Sequence, residues 1–344
     1  MTYQIKVQPS NHTFTAEENE FILDAALRHG IAFPYGCRSG SCGTCLGKVL
    51  SGEIAYPDGL PVALMEHEHE QGKAAFCTAV AKSDLTLEVQ EISSTDEIEV
   101  KTLPVRVASL RKLARDVMEM TLQLPESERL AFRAGQYIEI ILRDKTRRAF
   151  SIANSPSNDE VLELHLRHVK GGKFTEYVFN EMKEKALLRI EGPFGSFFIQ
   201  DKSNRPLILI AGGTGFAPIK AMLEQLIEEN DTRPVYLYWG VRSEADLYRD
   251  DLAKKWAFQH KHIHYIPVLS EIDENDTDWQ GRTGFVHEAV LKDFPSLADY
   301  DVYMAGPPVM VNAAKESFLQ QGLPQEQLFS DSFEFSTPAT TSET

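Results

Sequence analysis

Basic residues are in short supply in this chain of 344: Lys and Arg number 35 against 51 Asp and Glu, a formal net charge of −16. Phosphate backbones are held by clustered cations that displace counterions, so the shortage excludes a nucleic-acid binder. Long apolar runs are also missing. No stretch approaches the roughly 18 residues of a membrane-spanning helix, and Met1–Lys6 has neither the basic start nor the apolar run of a secretory leader. A cytoplasmic location is expected. Cysteine is scarce, four in all, and in a reducing compartment four thiols fit metal or redox chemistry better than structural disulfides. What is present, 42% hydrophobic and 25% charged residues, is a globular composition. Single cores stop growing at roughly 250 to 300 residues, so two or three domains are expected.

Three of the four cysteines fall in one short run, Cys37-Arg38-Ser39-Gly40-Ser41-Cys42-Gly43-Thr44-Cys45, and the fourth is Cys77. Cys-x4-Cys-x2-Cys with a distant fourth cysteine is the plant-type [2Fe–2S] spacing. A four-cysteine zinc site usually has two Cys-x2-Cys knuckles, and only one such pair exists here. Gly36, Gly40 and Gly43 allow the loop to wrap tightly and turn backbone N–H groups toward sulfur. Before the loop, Tyr3, Ile5 and Val7 alternate with polar residues as in a half-buried strand. His12–Thr15 is its hairpin partner across Pro9–Asn11, and a short helix through Phe21–Leu27 is capped near Gly30. Met65–Glu70 reads as a solvated acidic helix rather than a metal site. Up to Thr95, six basic residues face twelve acidic ones, which suits either a solvated face or a docking patch. To about Glu91 the chain resembles a plant-type ferredoxin of β-grasp fold. This sets a ferredoxin domain at 1–92 and a linker at 93–103, where apolar periodicity fades. The resemblance implies that Cys37, Cys42, Cys45 and Cys77 hold the cluster.

From Pro104 the texture changes to strands, Val105–Leu113, Val117–Leu124 and Tyr137–Leu142, which suggest a small antiparallel barrel. The run Arg148-Ala149-Phe150-Ser151-Ile152-Ala153-Asn154 follows, then a strand Leu162–Val169 with His165 and Arg167 on one side. Gly171–Thr175 then leads into a helix over Glu176–Lys185. A glycine turn and a hydroxyl at a helix start offer N–H groups and the positive dipole end to an anion. Arg-x-(Phe or Tyr)-Ser, a strand, then Gly-x-x-(Ser or Thr) resembles the flavin-binding domain of the ferredoxin–NADP reductase superfamily. The resemblance implies that Arg148 pairs with the FAD pyrophosphate, Phe150 packs along the flavin, and Ser151 is the catalytic residue, bonding near N5 where hydride arrives. It also implies FAD contacts from His165, Leu166, Arg167, Gly172, Lys173, Phe174 and Thr175. Phe150 stands where tyrosine is common in that family, and Glu191–Gly195 is expected to close the domain, 104–200, with a tight turn.

The third segment, 201–335, opens on an apolar strand Pro206–Ile210. Ala211-Gly212-Gly213-Thr214-Gly215-Phe216-Ala217-Pro218 follows, then a helix with Ile219, Met222, Leu223, Leu226 and Ile227 at helical spacing. Pro218 is expected at its first residue. Strand, glycine loop and helix place a dinucleotide pyrophosphate at the helix N-terminus, as in Rossmann-like folds. Val235–Trp239, His264–Val268 and Asp301–Met304 read as further buried parallel strands. Proline in place of the last fingerprint glycine resembles the same reductase superfamily. It implies NAD contacts from Gly212, Gly213, Thr214 and Gly215, and from Gly306 and Pro307 beside the nicotinamide; alanine replaces a common cysteine at Ala305. Arg242 lies in the ribose region, but Glu244, Asp246 and Glu271 surround it and would repel a 2′-phosphate, favouring NADH over NADPH. His260, His262 and His264 read as entry to a strand. Phe333 is the candidate ring against the flavin, and 336–344 is a polar tail.

Apart from its tail, the chain is thus identified as a member of the iron–sulfur flavoprotein reductases, multi-domain α+β and α/β proteins with ferredoxin, flavin and NAD modules in that order. The resemblance implies hydride passing from NADH to FAD, with nicotinamide C4 roughly 3 to 3.5 Å from flavin N5. Single electrons then leave through the cluster to a protein acceptor, an oxygenase component or a deoxysugar dehydrase. A redox sensor using the same cofactors without turnover is the alternative.

Overall fold

The computed structural model describes residues 1–92, 98–200, 203–271 and 279–333. The proposed tail and residues 93–97 of the proposed linker lie outside the described residues. Two compact units form, Met1–Ile98 with Gly195–Phe197, and Glu99–Phe194 with Phe198–Thr344.

In the first unit, β1 (Thr2–Gln8) and β2 (Thr13–Glu17) make the expected hairpin, and α1 (Ile22–Arg28) follows. β3 (Leu46–Ser51), β4 (Ile54–Ala55), α2 (Glu66–Glu70), β5 (Lys73–Ala75), β6 (Val80–Ala81) and β7 (Leu85–Glu88) complete it. The sheet order is β2-β1-β7-β3-β5, with β1 and β7 parallel. This is a β-grasp arrangement. α1 buries Ile22, Leu23, Ala25 and Ala26 on it, and Phe33 packs edge-on against Phe14 at 6.0 Å and tilted against Phe76 at 5.6 Å. α2 buries nothing, as a solvated acidic helix should.

The second unit begins with β8 (Lys101–Ala114), β9 (Val117–Gln123), β10 (Tyr137–Ile141), β11 (Arg147–Ser151), β12 (Val161–Arg167), α3 (Lys173–Asn180) and β13 (Leu187–Phe194). Lys101–Leu103, assigned to the linker from sequence, are strand residues paired with Ile190–Gly192 of β13. The antiparallel order is β11-β10-β13-β8-β9-β12, and the two end strands meet at the Ile152–Leu164 bridge. The sheet closes as a barrel there, and the seam between β11 and β12 is held by that isolated bridge and not by a strand ladder. Glu191–Phe194 is not a tight turn. Tyr137 pairs with Phe194 and Glu139 with Glu191, so Gly192 and Pro193 bulge opposite Ile138, an arrangement that accommodates a proline without a ladder N–H.

The dinucleotide half has β14 (Leu207–Gly212), α4 (Phe216–Glu228), β15 (Val235–Val241), α5 (Asp250–Gln259), β16 (Ile263–Leu269), β17 (Arg282–Thr283), α6 (Val286–Asp293), β18 (Asp301–Gly306), α7 (Pro308–Gln320) and β19 (Leu328–Ser332). All pairings in the order β17-β16-β15-β14-β18-β19 are parallel. β14 and β18 are buried at every residue, as strands covered on both faces are. The winding reverses between them, and open parallel sheets bind ligands beyond the strand ends at such a switch point. Pro218 is the third residue of α4, not the first; amides of a first turn have no intrahelical acceptor, so its missing N–H still costs nothing there.

Candidate cluster, flavin and dinucleotide sites

All four cysteines are free thiols, and the loop brings them together. Arg38, Gly40 and Gly43 adopt φ of 57°, 75° and 72°, which wraps the chain around Cys37. The amides of Ser39, Ser41 and Cys42 donate to Cys37 Sγ at 3.5, 3.4 and 3.4 Å, and the Cys37 amide donates to Cys42 Sγ at 3.4 Å. Cys45 Sγ and Cys77 Sγ lie 3.1 Å apart. A Cβ on Gly40 would sit 2.6 Å from Pro61 Cβ, so the surrounding loop fits only glycine. The Cys42 thiol, with Ser39 and Ser41, pulls Cys37 down to about 4 against its burial. Cys45 likewise lowers Cys77. Thiolates ligate iron, and four convergent thiols with three amides turned toward Cys37 Sγ fit a [2Fe–2S] cluster. Arg38, beside the cluster, is paired with Asp24.

The candidate flavin residues lie on β11 and β12, either side of the barrel seam, and at the start of α3. Strand alternation puts Arg148 and Phe150 on one face of β11 and Ser151 on the other, opposite Tyr137. Phe150 packs against Phe174 at 5.7 Å. Arg147 is paired with Glu139 and Glu191 at 2.8 Å each, while Arg148 donates to the Arg147 carbonyl at 2.7 Å. The sequence pattern starts the next helix at Glu176; the structure starts α3 at Lys173, with Gly172 as its extended N-cap, and ends it at Asn180. The Thr175 hydroxyl does not point outward to an anion. It donates to Val169 or Gly172 carbonyls at 3.1 and 3.2 Å and accepts from the Val169 amide at 3.2 Å, closing the glycine turn. The first-turn amides of α3 remain for a diphosphate, beside Gly171, where an added Cβ meets nothing. The seam and these amides fit FAD.

Two predicted flavin contacts turn elsewhere. The His165 side chain is fully buried, its Nε2 2.8 Å from Glu163 Oε1 and its Nδ1 3.0 Å from the Tyr248 hydroxyl, so its ring cannot reach a flavin. Arg167 pairs with Asp116 at 3.2 Å, and its Nη1 lies 3.1 Å from where a Cβ on Gly213 would stand. Leu166 is core.

The glycine loop is a single 3-10 turn, Gly213–Gly215, at the end of β14. A Cβ on Gly215 would lie 2.0 Å from the Ala305 carbonyl oxygen. Gly212 and Gly306 are equally close: a Cβ on Gly306 would be 3.0 Å from Gly212 Cα. Glycine thus lets β14, β18 and the α4 start converge at the switch point. Trp239 Nε1 donates to the Gly213 carbonyl at 3.0 Å while its ring stacks on Phe216 at 3.9 Å, together worth about 1 to 2 kcal/mol. Thr214 is buried in the turn, and Pro307 follows Gly306 as the N-cap of α7. The Phe333 amide donates to the Gly306 carbonyl at 2.9 Å, which sets Phe333 just past β19 at the same switch point. Arg242 is exposed beyond β15, and the Glu271 amide donates to its carbonyl at 2.9 Å, so the acidic neighbour expected there is present. The convergent backbone fits a dinucleotide.

A buried polar seam joining the barrel to α4 was not foreseen. Lys220 Nζ donates to the Ala153 carbonyl at 2.9 Å and to Glu224 at 2.9 Å, and lies 3.3 Å from Glu163 Oε1. Glu119 pairs with Arg111 and Arg249. Ligand atoms of Glu119, Glu163 and His165 lie within 4.8 Å of one another, but these cationic side chains already neutralise the carboxylates. The available signal was one lysine inside the apolar run Ala217–Leu223.

Burial raises Glu163, yet His165 and Lys220 outweigh it and bring the carboxyl to about 2. Burial lowers His165 against the pull of Glu163, and raises Glu224 against that of Lys220. His165 and Glu163 therefore have folded values below their unfolded ones. As pH falls the unfolded chain binds protons first and stability drops, through His165 below roughly pH 6.5 and through Glu163 below roughly pH 4.3, with Glu224 opposing just above the latter. His165→Gln should flatten the fall in Tm between about pH 6.5 and pH 5; an acid limb identical to that of the native protein would contradict this.

Together a thiolate loop, a flavin seam and a dinucleotide switch point define an iron–sulfur flavoprotein that takes electrons in pairs and releases them singly. Family models for a 2Fe-2S iron-sulfur cluster binding domain, an oxidoreductase FAD-binding domain and an oxidoreductase NAD-binding domain match residues 5–82, 104–199 and 209–316. The chain is 41% identical over 333 residues to the CDP-6-deoxy-L-threo-D-glycero-4-hexulose-3-dehydrase reductase of Yersinia pestis, covering 97% of this chain and 99% of that protein. It is 34% identical to the phenol 2-monooxygenase reductase component DmpP of Pseudomonas sp. (strain CF600), covering 97% and 95%. The crystal structure of the Amycolatopsis cytochrome P450 reductase GcoB matches with a TM-score of 0.78 at 31% identity, covering 96% of this chain and 98% of that one. The chain belongs to the iron–sulfur flavoprotein reductases with ferredoxin, flavin and NAD modules. It is an oxidoreductase that uses NAD, FAD and a [2Fe–2S] cluster to pass electrons to a protein acceptor. No helix among the described residues is long and apolar enough to cross a membrane.

Proposed function

We propose that this protein is a cytoplasmic NADH-dependent reductase that supplies single electrons to a deoxysugar dehydrase or an oxygenase component. One observation supports the hydride half of this reading: Arg167 Nη1, at the end of β12, lies 3.1 Å from where a Cβ on Gly213 would stand, so the barrel strand that follows the flavin motif is a neighbour of the dinucleotide loop. When bound, FAD would accept one hydride, two electrons with a proton, and release the electrons one at a time. The chain's own residues orient the partners: Ser151 and Phe150 at the flavin, Arg148 and the first-turn amides of α3 at its diphosphate, Gly212–Gly215 with Gly306 and Pro307 at the dinucleotide, and Phe333 at the switch point. Cys37, Cys42, Cys45 and Cys77 hold the cluster, and the amides around Cys37 stabilise its charge.

The preference for NADH follows from Glu244 and Glu271 near Arg242. A 2′-phosphate would meet like charge there, and kcat/KM for NADH should exceed that for NADPH by about tenfold or more. Equal values would defeat the nucleotide assignment. Visible and EPR spectra recorded before and after NADH test the rest: flavin bleaching followed by a rhombic cluster signal is expected, and sustained turnover with an artificial acceptor separates a reductase from a redox sensor. Bleaching without a cluster signal would break the proposed route.

A further inference from the structure

Lys220 is 4% exposed, in a helix whose neighbouring residues Phe216–Leu223 are all buried. A buried ammonium is retained only where acceptors surround it, and its three come from two elements. Glu224 lies one turn along α4, whereas Glu163 and the Ala153 carbonyl belong to the barrel. Ala153 follows Ser151 by two residues, and its amide donates to the Glu163 carbonyl at 2.7 Å. Lys220 follows the glycine turn by one helical turn. The flavin strand and the dinucleotide loop are therefore joined by one side chain that makes two hydrogen bonds and a further ion pair.

We infer that Lys220 is a positioning residue for dinucleotide-to-flavin transfer: its bond to the Ala153 carbonyl sets the Gly213–Gly215 turn in register with Ser151. This rests on the assignment of Ser151 and the glycine loop proposed above. Lys220 touches neither partner in this role. Glu163 fixes the direction of the ammonium, and His165, bonded to Glu163 and Tyr248, fixes Glu163.

The test is stopped-flow reduction of the holoenzyme by NADH and by NADH deuterated at the transferred position, with amide hydrogen exchange on the same samples. In Lys220→Met the limiting rate of flavin reduction should fall at least about tenfold, the isotope effect should rise, and the NADH dissociation constant should change less than about threefold. Exchange should quicken in 151–155 and 216–223. Lys220→Met leaves two buried carboxylates without their cation, so Lys220→Met/Glu224→Gln is made as well. The double variant should recover melting temperature but not the rate, because the Ala153 bond is still missing. A native rate and isotope effect in either variant would overturn the inference, as would a double variant in which rate and melting temperature recover together. Ser151→Ala is measured in parallel. If it reduces its flavin at the native rate, the underlying assignment of the flavin strand fails; if it is slow while the Lys220 variants are native, only the role of Lys220 fails.

Discussion

Replacing Cys42 by Ala is expected to abolish the cluster's visible absorbance and to cut NADH-dependent cytochrome c reduction by about two orders of magnitude, while ferricyanide reduction continues near the native rate. Cys42 is 8% exposed; its sulfur accepts from the Cys37 amide and stands 3.3 Å from Thr44 Oγ1. Losing it removes a ligand, and three thiolates do not complete a plant-type site. The second unit has its own cores, one in the barrel around Met120, Ile138 and Leu164 and one in the dinucleotide sheet around Ile210, Val302 and Phe318. It should therefore keep its flavin and still react with NADH. Ferricyanide, a small acceptor, draws on the flavin directly. Unchanged cytochrome c turnover in the variant would show that electrons leave by another path.

Gly215→Ala should be the most damaging single methyl in the dinucleotide half. The added carbon would stand 2.0 Å from the Ala305 carbonyl oxygen, 2.5 Å from its carbon and 2.9 Å from the Gly306 nitrogen. All three are backbone atoms of β18, so no rotamer change relieves the overlap. β18 or the start of α4 must move, and displacement of a reacting group by about 1 Å costs on the order of a hundredfold in rate. NADH-driven reduction of the flavin should fall by about that factor, and dithionite should still reduce the cluster. Gly322→Ala is the control. Gly322 has φ of 86° but no atom within 4 Å of an added Cβ, so it pays only the left-handed backbone term of roughly 1 kcal/mol and should reduce its flavin normally. Comparable losses in both variants would show that backbone conformation, not contact with β18, sets the effect.

Much of the architecture was legible because its signals are local. The period of two in Tyr3–Val7, the unbroken apolar runs of β14 and β18, and the Gly212–Pro218 loop each declare an element within a dozen residues. Element ends were less legible. Glu191–Phe194 looks like a turn because Gly and Pro dominate it, yet cross-strand pairing with β10 and β8 holds it as a bulged strand. The start of α3 moved to Lys173 because the Thr175 hydroxyl locks the preceding turn, a contact no propensity encodes.

What the sequence by itself determined is the chemistry: the cysteine spacing, the flavin strand motif and the glycine loop, with the order of the three modules. The heart of each ligand set, Cys37–Cys45, Arg148–Ser151 and Gly212–Gly215, is a short run whose spacing follows from the group it must wrap. Only the tertiary structure decided that the His165 ring is a buried strut between Glu163 and Tyr248, that Arg167 stands against Gly213, and that Lys220 bonds Ala153. Buried polar contacts of this kind span long stretches of chain, 83 residues for His165 and Tyr248, 67 for Lys220 and Ala153, and 130 for Glu119 and Arg249. No local pattern specifies such contacts, because each polar group takes the partner that burial leaves within reach when barrel and sheet pack together.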